Sequence, residues 1–401
     1  MRVRNSRLAT CAPALIVFVA LGALVWAYFA MGGGVRDFIH IGRNFLRKGG
    51  DTSSIIRFDP TYHGYPANNI GYDGQFYYFF AIDPQHAPAY MDEPAYRLSR
   101  PLYPMLARAL AFGSPALVPW TMLLINWLAI TGTVLAISAM LRRRGISPRF
   151  ALLYAAFPGA LLALHVDVAE PLAYALVALA LWLRERGVRR MWLWTGIVFA
   201  LAALTRETTA AFPLALAIGA TLRDGLAASR GGTARVRALL MAARRPAVWL
   251  AGVMTPYLAW KLFVLSWVGS SGIPSELIPS PIPFEGLAQL WPWPPIIWGS
   301  ALFVAVPGAL CFGLAVWGLW KRPAAPELWA LALHAFFFCI MLRMLSWDII
   351  ASFRLSIGSA LALLWSAPLL LSVDRRSRFW MGAIAGLWVV IMTPLSVIGF
   401  L

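Results

Sequence analysis

The sequence predicts an all-α fold, a polytopic bundle of transmembrane helices that crosses about eleven times and carries a large outer loop after its first helix. Three observations predict it. Of 401 residues, 60% are hydrophobic and 13% charged, whereas a soluble domain carries roughly 25% charged residues. Apolar runs of about 20 residues recur along the chain, long enough as helices to cross about 30 Å of hydrocarbon. Most cations stand in short loops between those runs, where they set orientation.

The first run, Cys11 to Met31, follows Arg2, Arg4 and Arg7. It is too long for the apolar region of a secretory signal and ends in no convincing cleavage site, so it is expected to remain as the first helix. With the N-terminus cytoplasmic, the basic loops Arg142–Arg149, Arg184–Arg190, Arg223–Arg245, Lys321–Arg322 and Arg375–Arg378 all fall on the cytoplasmic side. Spans are then expected near 12–31, 115–141, 150–165, 171–183, 191–204, 208–222, 247–268, 298–320, 326–345, 355–373 and 379–398. The whole chain, 1–401, reads as one integral membrane domain with outer loops at 32–114 and 269–297. The C-terminus is expected outside.

This orientation sorts the charges. Cytoplasmic segments hold 22 of the 34 Lys and Arg residues, but only Glu185, Asp224, Glu327 and Asp374 among 17 acids. The positive-inside bias explains the first count and not the second. An acid-bearing outer face suggests that binding or chemistry occurs there. The formal charge of +17 does not indicate a nucleic-acid partner, because no basic recognition patch or nucleic-acid module accompanies it. Cys11, Cys311 and Cys339 lie in apolar runs without metal-ligand spacing and read as small hydrophobes with no disulfide framework.

Two hairpins are short. Residues 150–165 extend about 24 Å as a helix and 191–204 about 21 Å, less than the hydrocarbon thickness of about 30 Å. Their turns, "LHVDVAEP" (Leu164–Pro171) and "LTRETTAAFP" (Leu204–Pro213), are therefore expected below the outer surface, beside protein or a wet cavity. Asp167, Glu170, Arg206 and Glu207 would line that cavity. Alternatively, Arg206 pairs with Asp167 or Glu170 and ties the hairpins together.

In the large outer loop, "VRDFIHIGRNFLRKGG" (Val35–Gly50) places Phe38, Ile41, Phe45 and Leu46 on one face of a helix expected to lie in the interface. "AYRLSRPLYPMLARALAFG" (Ala95–Gly113) reads as a second interfacial helix opened by Pro101. The loop has too little core to fold alone and should rest on the bundle as a lid. Between them stands "NNIGYDGQFYYFFAIDP" (Asn68–Pro84). Asp73 has two readings. It caps a short aromatic helix, or it faces a reaction site, with Gln75 and Tyr77 supplying hydrogen bonds and Tyr77, Tyr78 and the following rings stacking on a sugar or sitting at headgroup level. A dry aromatic setting would raise its pKa and suit it to act as a base.

"GYDGQFYYFFAIDP" followed by "AYRLSRPLYPMLA" resembles the first outer loop of bacterial membrane glycosyltransferases of the GT-C superfamily, with the layout of PIG-V-like mannosyltransferases. "LTRETTAAFPLAL" also resembles a segment that recurs in such proteins. The sharp motifs cover about 40 residues, and the likeness of architecture covers most of the chain. The resemblance implies transfer of a sugar from a polyprenyl-phosphate-linked donor to a glycan, lipid or protein acceptor at the outer face of a bacterial inner membrane, with Asp73 as base and inversion at the anomeric carbon. Relatives often place the acid nearer the end of the first helix, which keeps Asp37 as a rival. No acidic pair in the loop matches the usual DxD, so no cofactor is implied and a divalent metal stays open.

The phosphate leaving group would need arginines: Arg97, Arg100, Arg206, Arg343 and Arg354, with Tyr103 and Asp348 nearby. Arg343 and Arg354 could instead snorkel to headgroups or pair with Asp348. Lys261 and His334 read as helix–helix contacts, and Trp291 and Trp293 as lid residues or belt anchors. The rival class is a secondary transporter or lipid flippase, disfavoured by the lack of an internal repeat and by polar clusters near one face. A noncatalytic scaffold and an O-antigen-ligase-like transferase are weaker alternatives.

Overall fold

The computed structural model describes residues 7–42, 45, 70–187, 189–228, 232–269, 280, 282–289, 291–292, 298–299, 301–340, 349–373 and 375–391. Among them the architecture is all-helical, and the extended pairing recorded is an isolated bridge between Ile41 and Gly71. The main helices are α1 (Arg7–Ala30), α2 (Gly74–Ile82), α3 (Leu102–Leu110), α4 (Val118–Arg143), α5 (Pro158–His165), α6 (Glu170–Arg186), α7 (Met191–Thr205), α8 (Ala211–Ala228), α9 (Gly232–Val268), α10 (Val306–Lys321), α11 (Pro326–Ile340), α12 (Ile349–Leu355), α13 (Ile357–Val373) and α14 (Arg375–Ala385).

Among the described residues, six stretches are long and apolar enough to cross a bilayer: Leu8–Ala30, Val118–Arg143, Glu207–Ala228, Ala234–Val268, Ala301–Lys321 and Ile350–Ser372. α7 and α11 are apolar but shorter. Their ends follow from local chemistry. α4 opens with Pro119 in its first turn and closes on Arg142 and Arg143, which suits the negative end of the helix dipole. α6 opens on Glu170 and Pro171 and stops at Gly187 in the left-handed conformation, where glycine carries no steric penalty.

Two expected spans have different shapes. Residues 150–165 do not form one helix. A 3-10 turn (Pro148–Ala151) and a single α-turn (Leu152–Ala155) precede α5, and the break falls at Phe157, whose backbone is extended ahead of Pro158. A residue before proline is pushed out of the helical region in this way. The segment expected as a basic loop before 247 is helical instead, because "ARVRALLMAA" (234–243) is rich in strong helix formers and α9 continues through Pro246 and Pro256.

The start of the first expected interfacial helix also differs. Val35–Ile39 is a 3-10 turn, and His40 takes a left-handed conformation that ends it. Phe38, Ile41 and Phe45 are buried in the protein core, while Leu46 and residues 47–50 lie outside the described residues. The second expected helix starts near Pro101 as α3, with Tyr103, Pro104 and Ala107 buried. It packs on α2 and α4. Lys261 Nζ donates to Ala95 O at 2.7 Å and Trp260 Nε1 to Leu98 O at 2.8 Å, clamping this segment to α9.

Large apolar side chains stay exposed on α1 (Leu15, Ile16, Trp26) and α9 (Val248, Leu262). The buried set contains many polar groups, including Asn126, Asp167, Glu170, Arg206 and Arg354. Apolar outside and polar inside is the arrangement a bilayer imposes. Cys311 and Cys339 are buried free thiols, whereas Cys11 is exposed.

Candidate functional site

Asp73 stands at the N-terminal cap of α2, and the two glycines beside it are required by close approach. Gly71 adopts φ +71°, and a Cβ there would lie 2.3 Å from the Gly42 nitrogen. A Cβ on Gly74 would lie 2.4 Å from the Val166 carbonyl oxygen. The first turn of α2 is thereby pressed against the turn that carries Asp167.

The Asp73 carboxylate makes no capping bond to α2. Arg97 Nη1 donates to its Oδ1 at 2.7 Å and Arg354 Nη2 to its Oδ2 at 2.9 Å. The aromatic neighbours support the arginines: Arg354 lies 4.9 Å over the Tyr72 ring and Arg97 4.3 Å over Phe76. Rings of this kind favour a guanidinium over their faces. Burial pushes the Asp73 pKa up, but the charges of Arg97 and Arg354 outweigh it and hold the carboxyl far below the ordinary range. The raised value expected for a dry aromatic setting is overturned by those two guanidiniums.

The pairing continues inward. Arg354 Nε and Arg206 Nη1 lie 3.1 and 3.0 Å from Glu170 Oε1, and Arg97 Nε donates to Asp92 Oδ1 at 2.9 Å. The result is a chain of alternating charge, Asp92–Arg97–Asp73–Arg354–Glu170–Arg206. Asp73's side chain is 26% exposed and Glu170's 0%, so the chain runs from a wet end to a dry one. At the dry end Glu170 Oε2, Arg206 Nε and Arg354 Nη1 are buried without hydrogen-bond partners among the described residues. Buried polar groups left unpaired are costly, and this end holds both unmet donors and an unmet carboxylate oxygen.

A second arginine borders the cluster. Arg100 grips Glu207 bidentately, Nε at 2.8 Å and Nη2 at 2.6 Å, and lies 4.6 Å over Tyr96. Asp167, in a left-handed conformation, accepts from Tyr103 Oη at 2.6 Å and from Asn126 Nδ2 at 2.9 Å. Of the two partners open to Arg206, the structure uses Glu170.

The other expected residues sort as follows. Gln75 is buried and links backbones, accepting from Gly42 N at 3.0 Å and donating to Ile70 O at 2.9 Å. Tyr77 and Tyr78 are buried with the rest of the aromatic run, and Tyr77 packs edge-on to Tyr103. Asp37 accepts from Gly34 N at 2.6 Å and Tyr28 Oη at 3.1 Å, in its own turn. His334 is packed between Tyr174 and Phe212. Arg343, Asp348 and Trp293 lie outside the described residues. Asp92 and Asn126 join the network without having been expected. A lone amide in the apolar run "LLINWLAI" was a readable signal for Asn126, and none marked Asp92.

Among the described residues no three His, Cys, Asp or Glu side chains converge as a metal site would require. Comparison with known proteins found no matching family model, no similar curated protein and no similar solved structure.

Proposed function

We propose that the chain is a membrane glycosyltransferase that moves a sugar from a polyprenyl-phosphate-linked donor to an acceptor hydroxyl at the outer face, with inversion. One observation carries the reading: the Asp73 carboxylate opens a buried arginine chain whose inner members keep N–H groups unpaired among the described residues. A departing phosphate needs fixed cations, and the planar guanidinium fork meets it with parallel hydrogen bonds.

In the resting geometry Arg97 and Arg354 leave Asp73 a weak base. A donor phosphate that engages Arg354 and Arg206 draws positive charge away from Asp73 and raises its basicity. The acceptor hydroxyl then gives its proton to Asp73. Its oxygen attacks the anomeric carbon as the bond from that carbon to the phosphate oxygen breaks. Polyprenyl phosphate leaves with its charge on the arginines. The carboxylate is armed by the donor alone, which guards against idle hydrolysis.

In this reading the chain crosses about eleven times, with its N-terminus cytoplasmic and the Asp73 end of α6 facing the periplasm of a bacterial inner membrane. The charge asymmetry of α6 supports that placement, since Glu170 opens the helix and Arg184 and Arg186 close it.

The test is Asp73→Asn in proteoliposomes supplied with a polyprenyl-linked sugar donor. Transfer per folded molecule should fall about 10²- to 10⁴-fold, as loss of a general base implies, with the elution profile still that of a folded protein and some loss of melting temperature from the two weakened ion pairs. Normal turnover would remove Asp73 from the mechanism, and Asp37→Asn run beside it would show whether the rival carries the role. Movement of labelled lipid without product would favour the flippase class.

A further inference from the structure

A cavity of about 1340 Å³ opens between α7, α8 and α9, with Arg184 of α6 at its rim. Its basic rim lies far from Asp73, while its other end reaches Pro256. Arg184 stands 14 residues along α6 from Glu170, about 21 Å at the helical rise. The walls are apolar. Trp192 and Trp249 line them, held together by a 2.9 Å hydrogen bond from Trp249 Nε1 to the Trp192 carbonyl. Gly252 also lines the cavity, and a Cβ there would meet open space.

The rim is basic. Arg184, Arg244 and Arg245 border the cavity against a single acid, Asp224. Arg244, Arg245 and Asp224 are exposed. None of the three arginines is engaged in a side-chain ion pair among the described residues. α9 presents mostly exposed apolar residues along this stretch, Met241 and Val248 among them.

We propose that this groove binds an anionic phospholipid of the leaflet at that end of the bundle, with its phosphate among Arg184, Arg244 and Arg245 and an acyl chain along Trp249 and Gly252. Charge complementarity selects the headgroup: the lining carries three arginines against Asp224, Arg223 adds a further cation beside Arg184, and the nearby Glu185 and Glu327 are engaged by Arg144, which favours a lipid with net negative charge over a zwitterionic one. The apolar wall selects the lipid over free phosphate, which has no use for two tryptophans and an unfilled glycine. Long arginine stems reaching from an apolar surface to a polar head suit this level of the membrane. The site is independent of the transferase reading.

The experiment measures lipids retained by the purified full chain, by native mass spectrometry, after exchange into phosphatidylglycerol or phosphatidylcholine. Wild type should retain phosphatidylglycerol preferentially. Arg244→Gln/Arg245→Gln, two exposed changes, should lower that retention roughly ten- to thirty-fold, given about one power of ten or less per interfacial cation. Gly252→Leu should block the groove with every charge intact and lower retention of the lipid as well, while the elution profile stays that of a folded protein. Equal retention of the two lipids by wild type, or unchanged retention in either variant, would overturn the proposal.

Discussion

The two ends of α6 carry charged clusters built on opposite plans. At one end, about 22 Å from Glu170, Arg144 sits between two carboxylates, donating to Glu185 at 2.5 Å and Glu327 at 3.1 Å, and a third bond goes to the Trp365 carbonyl at 3.2 Å. One cation is shared by two acids, and it ties α4, α6 and α11 together. At the other end Asp73 and Glu170 are shared by Arg97, Arg354 and Arg206, with cationic N–H groups left over. The first cluster holds its cation fully engaged and serves as a staple. The second leaves buried groups of both signs unpaired among the described residues, Arg206 Nε and Arg354 Nη1 beside Glu170 Oε2, and in the proposed reading those N–H groups meet the donor phosphate.

The largest effect expected from this contrast is on folding. Glu170 is fully buried between two guanidiniums, and removing the shared partner of a buried ion pair costs about 3–5 kcal/mol. Glu170→Ala should therefore collapse the yield of folded protein, seen as a large drop in melting temperature in detergent. Glu185→Ala at the staple should be milder, because Arg144 keeps Glu327. Equal losses would mean that the two clusters do the same structural work.

The next effect separates stability from activity. Arg144→Gln removes the hydrogen-bonded cation between Glu185 and Glu327, leaving Arg184 as a more distant one, and should cost about 1–3 kcal/mol, the range for orphaning partly buried polar groups. Sugar transfer per folded molecule should stay unchanged, measured as kcat/KM on protein recovered by size exclusion. A fall in transfer comparable to that of Asp73→Asn would show that the staple end shapes the site.

Much of this contrast was legible in the sequence, and the rest was not for identifiable reasons. Composition and run length gave the helical bundle. The shortness of "WLWTGIVFALAAL" (192–204) marked α7 as a helix too short to cross alone, and of the acids in the two polar turns the structure brings Glu170 to Arg206. What sequence could not give was partner choice. Arg206 had two acids within a few residues of the same turn, and only the left-handed backbone at Asp167, which hands that carboxylate to Tyr103 and Asn126, leaves Glu170 for it. The role of the aromatic run was misjudged for a related reason. "QFYYFF" (75–80) is largely apolar, and a helix of that kind is buried all round, so its rings pack inward, while Phe76 lies under Arg97 and Tyr72, just before the run, under Arg354. The glycines around Asp73 were visible as letters, but the backbone of Val166 that makes Gly74 necessary lies 92 residues further on.

The smallest effect concerns how the Asp73 end is held in register. Lys261 sits in the long helix α9, and its ammonium donates to the Ala95 carbonyl at 2.7 Å, two residues before Arg97. Lys261→Met keeps the apolar stem and removes the donor. The stability loss should be about 1–2 kcal/mol, the scale of one hydrogen bond from a charged group. Arg97 would keep its bonds to Asp73 and Asp92, so the cluster survives, but the segment that carries it would keep only the bonds of Trp260 to Leu98 and of Tyr257 to Ser99 as recorded polar tethers to α9 among the described residues. The expected signature is faster amide hydrogen exchange at Ala95–Arg100 with little change elsewhere, accompanied by a several-fold rise in KM for the donor at nearly constant kcat, because positioning of Arg97 and Arg100 is loosened while the reacting groups remain. Unchanged exchange in that segment would mean that the arginine network alone fixes the loop, and that the ends of α6 differ in charge without differing in how they are anchored.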